Sequence, residues 1–340
     1  MNIYDIAEKC GVSIATVSRV LNNNPNVSAA TRAKIQAVID EANYTPSALA
    51  RSLGTGSEPT TAAPVAAPTI PMVGVLCSTL RDPYYAEIIA ELEEQLRQRG
   101  YALLLHSGGD NLEEEQEALT RMVNSQVAAV LCVGPNHYEA LTSSPITQTA
   151  SHVPVILLDG YVSAPGVYCV TADQQGAIAE VVELLMRRQR RRILFLYNRQ
   201  NHSYRQKLEG FKAAHTAAGL ALDENLIVAV SDRLEDVNTC IKRLLVNRVT
   251  FDAVIGTEDM LALGAQKALM RTGLSMPVIG FHNSLTARCA TPDLTSVDCD
   301  TVGLCAAAMA VLDDLAAGKE ATPHTVIPTK LVERDSFRNA

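Results

Sequence analysis

Residues Tyr4–Asn22 read YDIAEKCGVSIATVSRVLN, and this stretch decides the fold of the N-terminal part of the chain. Apolar residues recur at three- and four-residue spacing before Gly11, which predicts an amphipathic helix ended by a residue that can take a positive φ. Ser13 is the predicted N-cap of a second helix, in which Val17 and Val20 face inward. Such a pair is typical of a helix-turn-helix, whose second helix enters the DNA major groove. The alternative is a structural helical hairpin.

Two further motifs follow this stretch. Ser28 is the predicted N-cap of a third helix with Ile35 and Val38 facing inward, and a short amphipathic segment, Ser47–Leu53, comes after Thr45-Pro46. The ordered motifs DIAEKCGVS…TVSRVLN, VSAATRAKI and YTPSALARSL together resemble the lactose-repressor (LacI/GalR) family of bacterial transcription regulators. The terminal LVERDS extends the resemblance more loosely to the end of the chain.

The resemblance implies a sequence-specific repressor that binds a near-palindromic operator in double-stranded DNA as a homodimer or a higher oligomer. Arg19 has the forked donors that read guanine, and Ile14 and Ala15 offer apolar contacts to thymine methyl groups. Leu53 is expected to wedge into the minor groove from a hinge helix. The predicted DNA-binding residues are Ser13, Ile14, Ala15, Thr16, Ser18, Arg19, Asn22, Ala50 and Leu53.

Composition adds a charge argument. The 340-residue chain has a net charge of −8, whereas its first 57 residues hold five basic and four acidic side chains. The first 57 residues are therefore weakly basic and the rest of the chain is acidic. This division favours a small-molecule-binding core after the N-terminal segment. The run MRRQRRR at 186–192 precedes a strand, so we expect a solvated helix end there and not a nucleic-acid patch.

The cysteines and the N-terminus indicate the compartment. Eight cysteines are scattered without C-x-x-C pairs, and Cys77, Cys132 and Cys169 lie in apolar runs, so we expect buried thiols and no metal site. The chain begins with a polar helix and shows neither a leader nor a membrane-spanning run. These features predict a cytoplasmic protein.

The chain divides into four predicted parts. They are a helix-turn-helix domain (1–45), a hinge helix (46–53), a linker (54–71) and an effector-binding and dimerisation core (72–340). The linker GTGSEPTTAAPVAAPTIP is rich in proline, alanine and threonine, which indicates a semi-stiff joint. It is a departure from the resembling family, in which the hinge runs almost straight into the first strand.

The core shows alternating strand and helix patterns from MVGVLC onward. Two such series imply an α/β core of two doubly wound parallel sheets with a cleft between their carboxyl edges. The resemblance implies a two-lobed, periplasmic-binding-protein-like arrangement with crossings near residues 161, 292 and 322. Lobe 1 is then 72–160 and 293–321, and lobe 2 is 161–292 and 322–340. The predicted fold class is therefore an all-α helix-turn-helix head plus this two-lobed core.

Enzyme motifs are missing where they should be visible in the sequence. No G-x-G-x-x-G follows the first strand, and no P-loop, G-x-S-x-G or H-E-x-x-H occurs. We therefore expect a binding protein without a catalytic residue, metal or cofactor.

The cleft positions are where the sequence departs from the resembling family. Lys207 stands where the family usually has an arginine, with Arg205 two residues earlier, and His282 stands where it usually has an aspartate. Glu258-Asp259 replaces a common Asn-Asp pair. The resemblance also places Tyr84, Tyr85 and Asp159 in the cleft, although two tyrosines at a helix start can instead be structural. The predicted effector-binding residues are Tyr84, Tyr85, Asp159, Arg205, Lys207, Glu258 and His282.

These departures favour an anionic effector. Histidine in place of aspartate removes an anion, and Lys207 keeps a positive charge, so a sugar acid such as gluconate is the predicted ligand, with Asp159 and Glu258 free to accept from its hydroxyls. The gluconate-repressor branch looks similar at Lys207 and His282. The alternatives are a neutral sugar or nucleoside, a site that has lost its ligand, or a solute-binding protein without a DNA role.

Overall fold

The computed structural model describes residues 9–13, 16–17, 20, 27–41, 70–108, 112–134, 144–198 and 200–338. The chain divides into two compact units, Met1–Pro68 and Thr69–Ala340. This division falls inside the predicted linker.

The helices and strands alternate through most of the second unit. The helices of the described residues are α1 Ala29–Glu41, α2 Pro83–Gln98, α3 Leu112–Asn124, α4 Pro145–Ala150, α5 Gln174–Arg187, α6 His202–Ala217, α7 Leu234–Val246, α8 Asp259–Arg271, α9 Leu285–Arg288, α10 Thr301–Ala316 and α11 Asp335–Arg338. The strands are β1 Met72–Cys77, β2 Ala102–Ser107, β3 Val130–Val133, β4 Val155–Leu158, β5 Val167–Ala172, β6 Ile193–Tyr197, β7 Ile227–Ala229, β8 Ala253–Gly256, β9 Val278–Phe281, β10 Thr295–Asp298, β11 His324–Ile327 and β12 Lys330–Val332.

The first unit has a small apolar core of its own. Gly11 has a φ of 61°, as the predicted helix break requires. The side chains of Val17, Val20 and Ile35 are buried together, so their predicted inward orientation is confirmed. The Ser28 side chain accepts a hydrogen bond from the backbone N–H of Thr31 at 3.2 Å, which is the N-cap geometry predicted for α1.

The second unit has two lobes, each built on one six-stranded sheet. The strand order is β11-β5-β4-β3-β1-β2 in lobe 1 and β12-β10-β9-β8-β6-β7 in lobe 2. Neighbouring strands run parallel except for β12, which pairs antiparallel with β10. Both orders follow the doubly wound pattern, so the predicted fold class is confirmed with one antiparallel edge strand added.

Each sheet is covered on both faces because successive residues of its strands point to opposite sides. In β6, Ile193 and Phe195 join the core beneath α5 and α6, whereas Leu194 and Leu196 join the core beneath α7 and α8. Lobe 1 has the same arrangement, with α2 and α10 on one face and α3 and α4 on the other. Strands buried on both faces explain the continuous apolar runs of the sequence.

The chain crosses between the lobes later than the sequence predicts. The crossings follow β5, β10 and β11, because β5 pairs with β4 in lobe 1 and β10 pairs with β9 in lobe 2. The predicted crossings near residues 161, 292 and 322 each fall before one of these three strands. The lobe boundaries are therefore corrected to about residues 173, 299 and 328.

Two smaller predictions, of buried thiols and of a helix end just before β6, are confirmed. Cys77, Cys132 and Cys169 are buried free thiols. The arginine-rich run lies at the end of α5, where the Arg188 guanidinium covers the Phe337 ring at 3.9 Å and Arg192 pairs with Asp223 at 2.9 Å. In the part of the chain that the structure describes, no helix is long and apolar enough to cross a membrane.

Candidate functional site

Two hydroxyl side chains hold the start of the predicted recognition helix. Ser13 Oγ accepts from the backbone N–H of Thr16 at 3.3 Å and lies 2.9 Å from Thr16 Oγ1. The Ser13 carbonyl also accepts from the backbone N–H of Val17. This geometry confirms Ser13 as an N-cap, while DNA contacts from Ser13 and Thr16 stay a prediction. The other predicted DNA-binding residues lie outside the described ones: Ile14, Ala15, Ser18, Arg19, Asn22, Ala50 and Leu53.

Lobe 1 brings its three predicted effector residues to the carboxyl edge of its sheet. Asp82 caps α2 by accepting from the backbone N–H of Tyr84 at 3.0 Å, and this places Tyr84 and Tyr85 in the first turn. Tyr85 packs on Gly134, where an added Cβ atom would lie 2.3 Å from the Tyr85 ring. Asp159 follows β4 with a φ of 54°, a left-handed conformation that aspartate tolerates better than most residues.

Lobe 2 supplies the other four residues. Lys207 lies in α6 with 1% of its surface exposed, and Glu258 and His282 are buried after β8 and β9. Arg205 is half-buried on α6. Side chains two positions apart in a helix do not face each other, so Arg205 and Lys207 do not lie on the same side of α6.

A chain of contacts runs from Asp159 in lobe 1 to Lys207 in lobe 2. The Tyr84 hydroxyl donates to Asp159 Oδ2 at 2.5 Å. The Tyr84 ring stacks on the His282 imidazole with centroids 3.9 Å apart and planes 14° apart. Lys207 Nζ lies 3.3 Å from His282 Nε2 and donates to the Thr257 carbonyl at 2.7 Å. The structure thus joins four predicted residues into one buried cluster across the two lobes.

Burial determines the protonation of this cluster. Burial lowers the pKa of His282 well below its ordinary value, and the neighbouring Lys207 lowers it further, so the imidazole is neutral. Because an ammonium group only donates, His282 Nε2 accepts from Lys207 and the ring proton lies on Nδ1. Burial also raises the pKa of Tyr84 well above 10, and the Asp159 carboxylate raises it further, so Tyr84 stays a neutral donor.

The Lys207 ammonium has no close counter-ion. Among the described residues, no carboxylate oxygen lies within 4.0 Å of Lys207 Nζ, and its two hydrogen-bond partners are neutral. Burial lowers the pKa of Lys207, while the more distant Glu258 and Asp159 oppose that shift. An ammonium group has three donors, and two of them are engaged. One donor of a buried cation is therefore left for another acceptor.

The two predicted acceptors for ligand hydroxyls already accept hydrogen bonds from protein donors, and their role toward a ligand stays a prediction. Asp159 Oδ1 accepts from the backbone N–H of Ala172 at 3.2 Å and from Gln174 Nε2 at 3.1 Å, in addition to the Tyr84 bond. Glu258 accepts from Asn198 Nδ2 at 2.8 Å. A buried carboxylate requires such donors when no ligand is bound.

Asp259 is a functional candidate that the sequence reasoning mentioned but did not select. It is buried and accepts from the Ser284 backbone N–H and hydroxyl, both at 2.8 Å, and from the Ser296 hydroxyl at 2.6 Å. Burial raises its pKa to about 7 although these hydrogen bonds lower it. Gln174 and Asn198 were missed because neither occupies a motif position.

A second contact joins the lobes outside the buried cluster. Glu87 on α2 accepts from the Leu285 backbone N–H at 2.9 Å and pairs with Arg288 at 2.8 Å. The ion pair is partly exposed, so it contributes little to stability by itself. It shows that α2 of lobe 1 contacts α9 of lobe 2.

A cavity of about 690 Å³ opens between the lobes beside the cluster. Lobe 1 lines it with the β1–α2 connection and the end of β2, and lobe 2 lines it with the β7–α7 connection and the start of α8. Among its lining residues, Asp82 caps the helix of Tyr84, and Met260 follows the buried Asp259 in sequence. Its volume is that of a small-molecule site, for which ~300–1,000 Å³ is common.

Comparisons with known proteins agree with this architecture. One family model, "Bacterial regulatory proteins, lacI family", matches residues 2–47, and a second, "Periplasmic binding proteins and sugar binding domain of LacI family", matches residues 70–331. The chain is 37% identical to an HTH-type transcriptional regulator of Lachnoclostridium phytofermentans, with 98% of each chain covered. It is 30% identical to catabolite control protein A of Priestia megaterium, over 100% of this chain and 99% of that protein.

A solved structure gives the same result for the fold. The lac repressor dimer bound to operator and the anti-inducer ONPF is similar with a TM-score of 0.69 and 23% identity, over 99% of this chain and 98% of that one. The family models together cover both units of the chain, and the relatives are regulators and not enzymes. The chain therefore belongs to the lacI family and is a DNA-binding transcriptional regulator that responds to a ligand.

Proposed function

We propose that this regulator is a repressor that a sugar acid of the gluconate type releases from its operator. The observation that carries the effector proposal is the buried Lys207 ammonium, which has no carboxylate within 4.0 Å among the described residues. A buried charge without a counter-ion is unfavourable, and a ligand carboxylate would supply the missing partner. A charge-assisted hydrogen bond of this kind is about twice as strong as a neutral one.

His282 supports the same proposal. It is neutral and buried beside Lys207, so it does not repel an anion as an aspartate at this position would. Its Nδ1 proton is a donor that a ligand carboxylate or hydroxyl can use. A neutral sugar or nucleoside is the competing ligand, and it would leave the Lys207 charge uncompensated.

Effector binding has to rearrange the cluster. Tyr84 fills the space between Asp159 and His282, so a ligand that reaches Lys207 displaces the ring or separates the two lobes. Asp159 and Glu258 can then exchange protein donors for ligand hydroxyls. Because Tyr84 and His282 belong to different lobes, this exchange favours one lobe arrangement over another, which is a population shift.

The DNA side of the proposal rests on the helix-turn-helix match and on the Ser13 cap. We propose that two chains form a homodimer on a near-palindromic operator, that Arg19 reads guanine, and that Ile14 and Ala15 contact thymine methyl groups. Leu53 serves as the minor-groove wedge. The lac repressor structure named above is a dimer bound to operator and a small molecule. A role on chromosomal DNA implies the cytoplasm as the compartment.

Two experiments test this function. Gel-shift with genomic fragments should yield a discrete bound fragment, and binding only in proportion to fragment length would contradict a specific operator. Calorimetry with gluconate and with glucose should then give tighter binding of gluconate, and gluconate should lower the affinity for the selected fragment. Tighter binding of glucose would support the neutral-sugar alternative and end the anionic proposal.

A further inference from the structure

The inter-lobe cavity contains two cationic side chains from opposite walls. Arg81 comes from the β1–α2 connection of lobe 1, and Arg233 comes from the residue before α7 in lobe 2. Both side chains are exposed. Neither guanidinium makes an ion pair or a side-chain hydrogen bond with the residues that the structure describes. Both forks of donors are thus available to a ligand in the cavity.

The cavity also contains two carboxylates, and neither forms an ion pair with Arg81 or Arg233. Asp82 directs Oδ1 to the backbone N–H of Tyr84, 3.0 Å away, as a helix cap. Asp232 is the other acidic lining residue, beside Arg233 in the chain. Guanidinium groups bind carboxylate and phosphate oxygens in a bidentate manner. The positions of unpaired arginines therefore indicate an anion-binding site better than the net charge of the cavity does.

Hydroxyl groups complete the lining. Ser78 and Thr79 lie at the end of β1, and Ser107 lies at the end of β2. Hydroxyls can donate to an anion or accept from a polyol, so they suit the middle of a sugar chain. Asp82 lines the cavity and also caps α2, the helix that carries Tyr84, so the cavity wall and the buried cluster share the start of this helix.

We propose that Arg81 and Arg233 hold a second anionic group of the effector, so that the effector is a polyol with an anion at each end. This inference rests on the proposed function, in which Lys207 holds the first anion. The second group is a phosphate or a carboxylate, since both match the guanidinium fork. A ligand held by arginines of both lobes also stabilises the arrangement in which the two walls face each other.

Calorimetry at low salt with the full-length protein tests the proposal. The probes are glucose, gluconate, glucose 6-phosphate, gluconate 6-phosphate and the diacid glucarate. We expect at least one of the two-ended anions to bind ~10-fold or more tightly than gluconate. Comparison of gluconate 6-phosphate with glucarate identifies whether the arginines prefer a phosphate or a carboxylate.

Substitutions of the two arginines test whether they cause the higher affinity for the two-ended ligand. Arg81→Gln and Arg233→Gln should each reduce the affinity for the two-ended ligand to that of gluconate, while gluconate affinity stays the same. Arg271→Gln is the matched control, because it removes an exposed guanidinium at the end of α8, outside the cavity lining. Circular dichroism of each variant confirms that it is folded.

The outcomes separate the two proposals. The arginine subsite is wrong, and the proposed function stands, if gluconate binds tightly and neither two-ended ligand binds more tightly than gluconate. The same conclusion follows if a two-ended ligand keeps its higher affinity after both arginine substitutions. If gluconate binds no better than glucose, while glucose 6-phosphate binds in a manner that depends on Arg81 and Arg233, the arginine subsite is supported and the sugar-acid effector is wrong.

Discussion

Asp259→Asn should change how the stability of the core depends on pH. Asp259 is buried with 2% of its surface exposed, and burial raises its pKa from 3.8 to about 7. The folded state therefore binds this proton more tightly than the unfolded state. Such a group lowers stability as the pH rises from the unfolded value towards the folded value, and the loss is complete above pH 7.

The size of the effect follows from these two pKa values. The full difference corresponds to ~4 kcal/mol, and ~2–3 kcal/mol of it falls between pH 5 and pH 8. Asparagine has nearly the same shape and does not ionise. It retains one oxygen for Ser296 or Ser284 but loses the other acceptor, so the variant also has a destabilisation that does not depend on pH.

Urea unfolding of wild type and variant at pH 5 and pH 8 measures the effect. Titrating groups that do not interact with Asp259 contribute equally to both proteins, so the change in the stability difference between the two pH values reports on Asp259 and its electrostatic partners. We expect the free energy of unfolding of the variant, relative to that of wild type, to be ~2–3 kcal/mol higher at pH 8 than at pH 5. A stability difference that is the same at both pH values would refute a raised pKa for Asp259.

The remaining predictions concern DNA, effector and linker. Arg19→Ala should reduce operator affinity by ~1–3 kcal/mol and relax base preference at one position, and equal losses on operator and random DNA by fluorescence anisotropy would exclude base reading. Lys207→Met should weaken gluconate binding by ~2–5 kcal/mol in calorimetry and leave glucose binding less affected, whereas equal losses for both ligands would indicate a structural role. Limited proteolysis should cut first within 54–71, as the composition of the linker predicts, and release a core that still binds effector. A first cut within 72–340 would contradict the two-part organisation.

Buried strands were the part of the fold that the sequence could predict. Runs such as Met72–Cys77 and Val278–Phe281 are apolar throughout because helices cover both faces of the sheet. The edge strand His324–Ile327 alternates between exposed and half-buried residues over only four positions, so it lacks that signal. The sequence pattern did not reveal the edge strand β11 or the near-edge strands β5 and β10. For this reason the predicted crossings fell too early.

The site was predictable as a location but not as a set of contacts. The rule that ligand groups follow strand carboxyl ends brings Asp159, Glu258 and His282 to one cleft. The bonds that these residues make to one another depend on tertiary structure. Tyr84 and Asp159 are 75 positions apart, and so are Lys207 and His282, and no local pattern announces either contact. Sequence reasoning therefore could not foresee that the carboxylates hold protein donors.

The three crossings have a consequence for the order in which the protein is made. Lobe 1 lacks β11 and lobe 2 lacks β12 until residues 324–332 have been synthesised, and β10 inside the second sheet also comes late. The segment that matches the DNA-binding family model is finished by residue 47. At ~5–20 residues per second, ~15–60 s separate the synthesis of the two. A nascent chain on the ribosome therefore contains the DNA-binding segment well before its effector-binding core is complete.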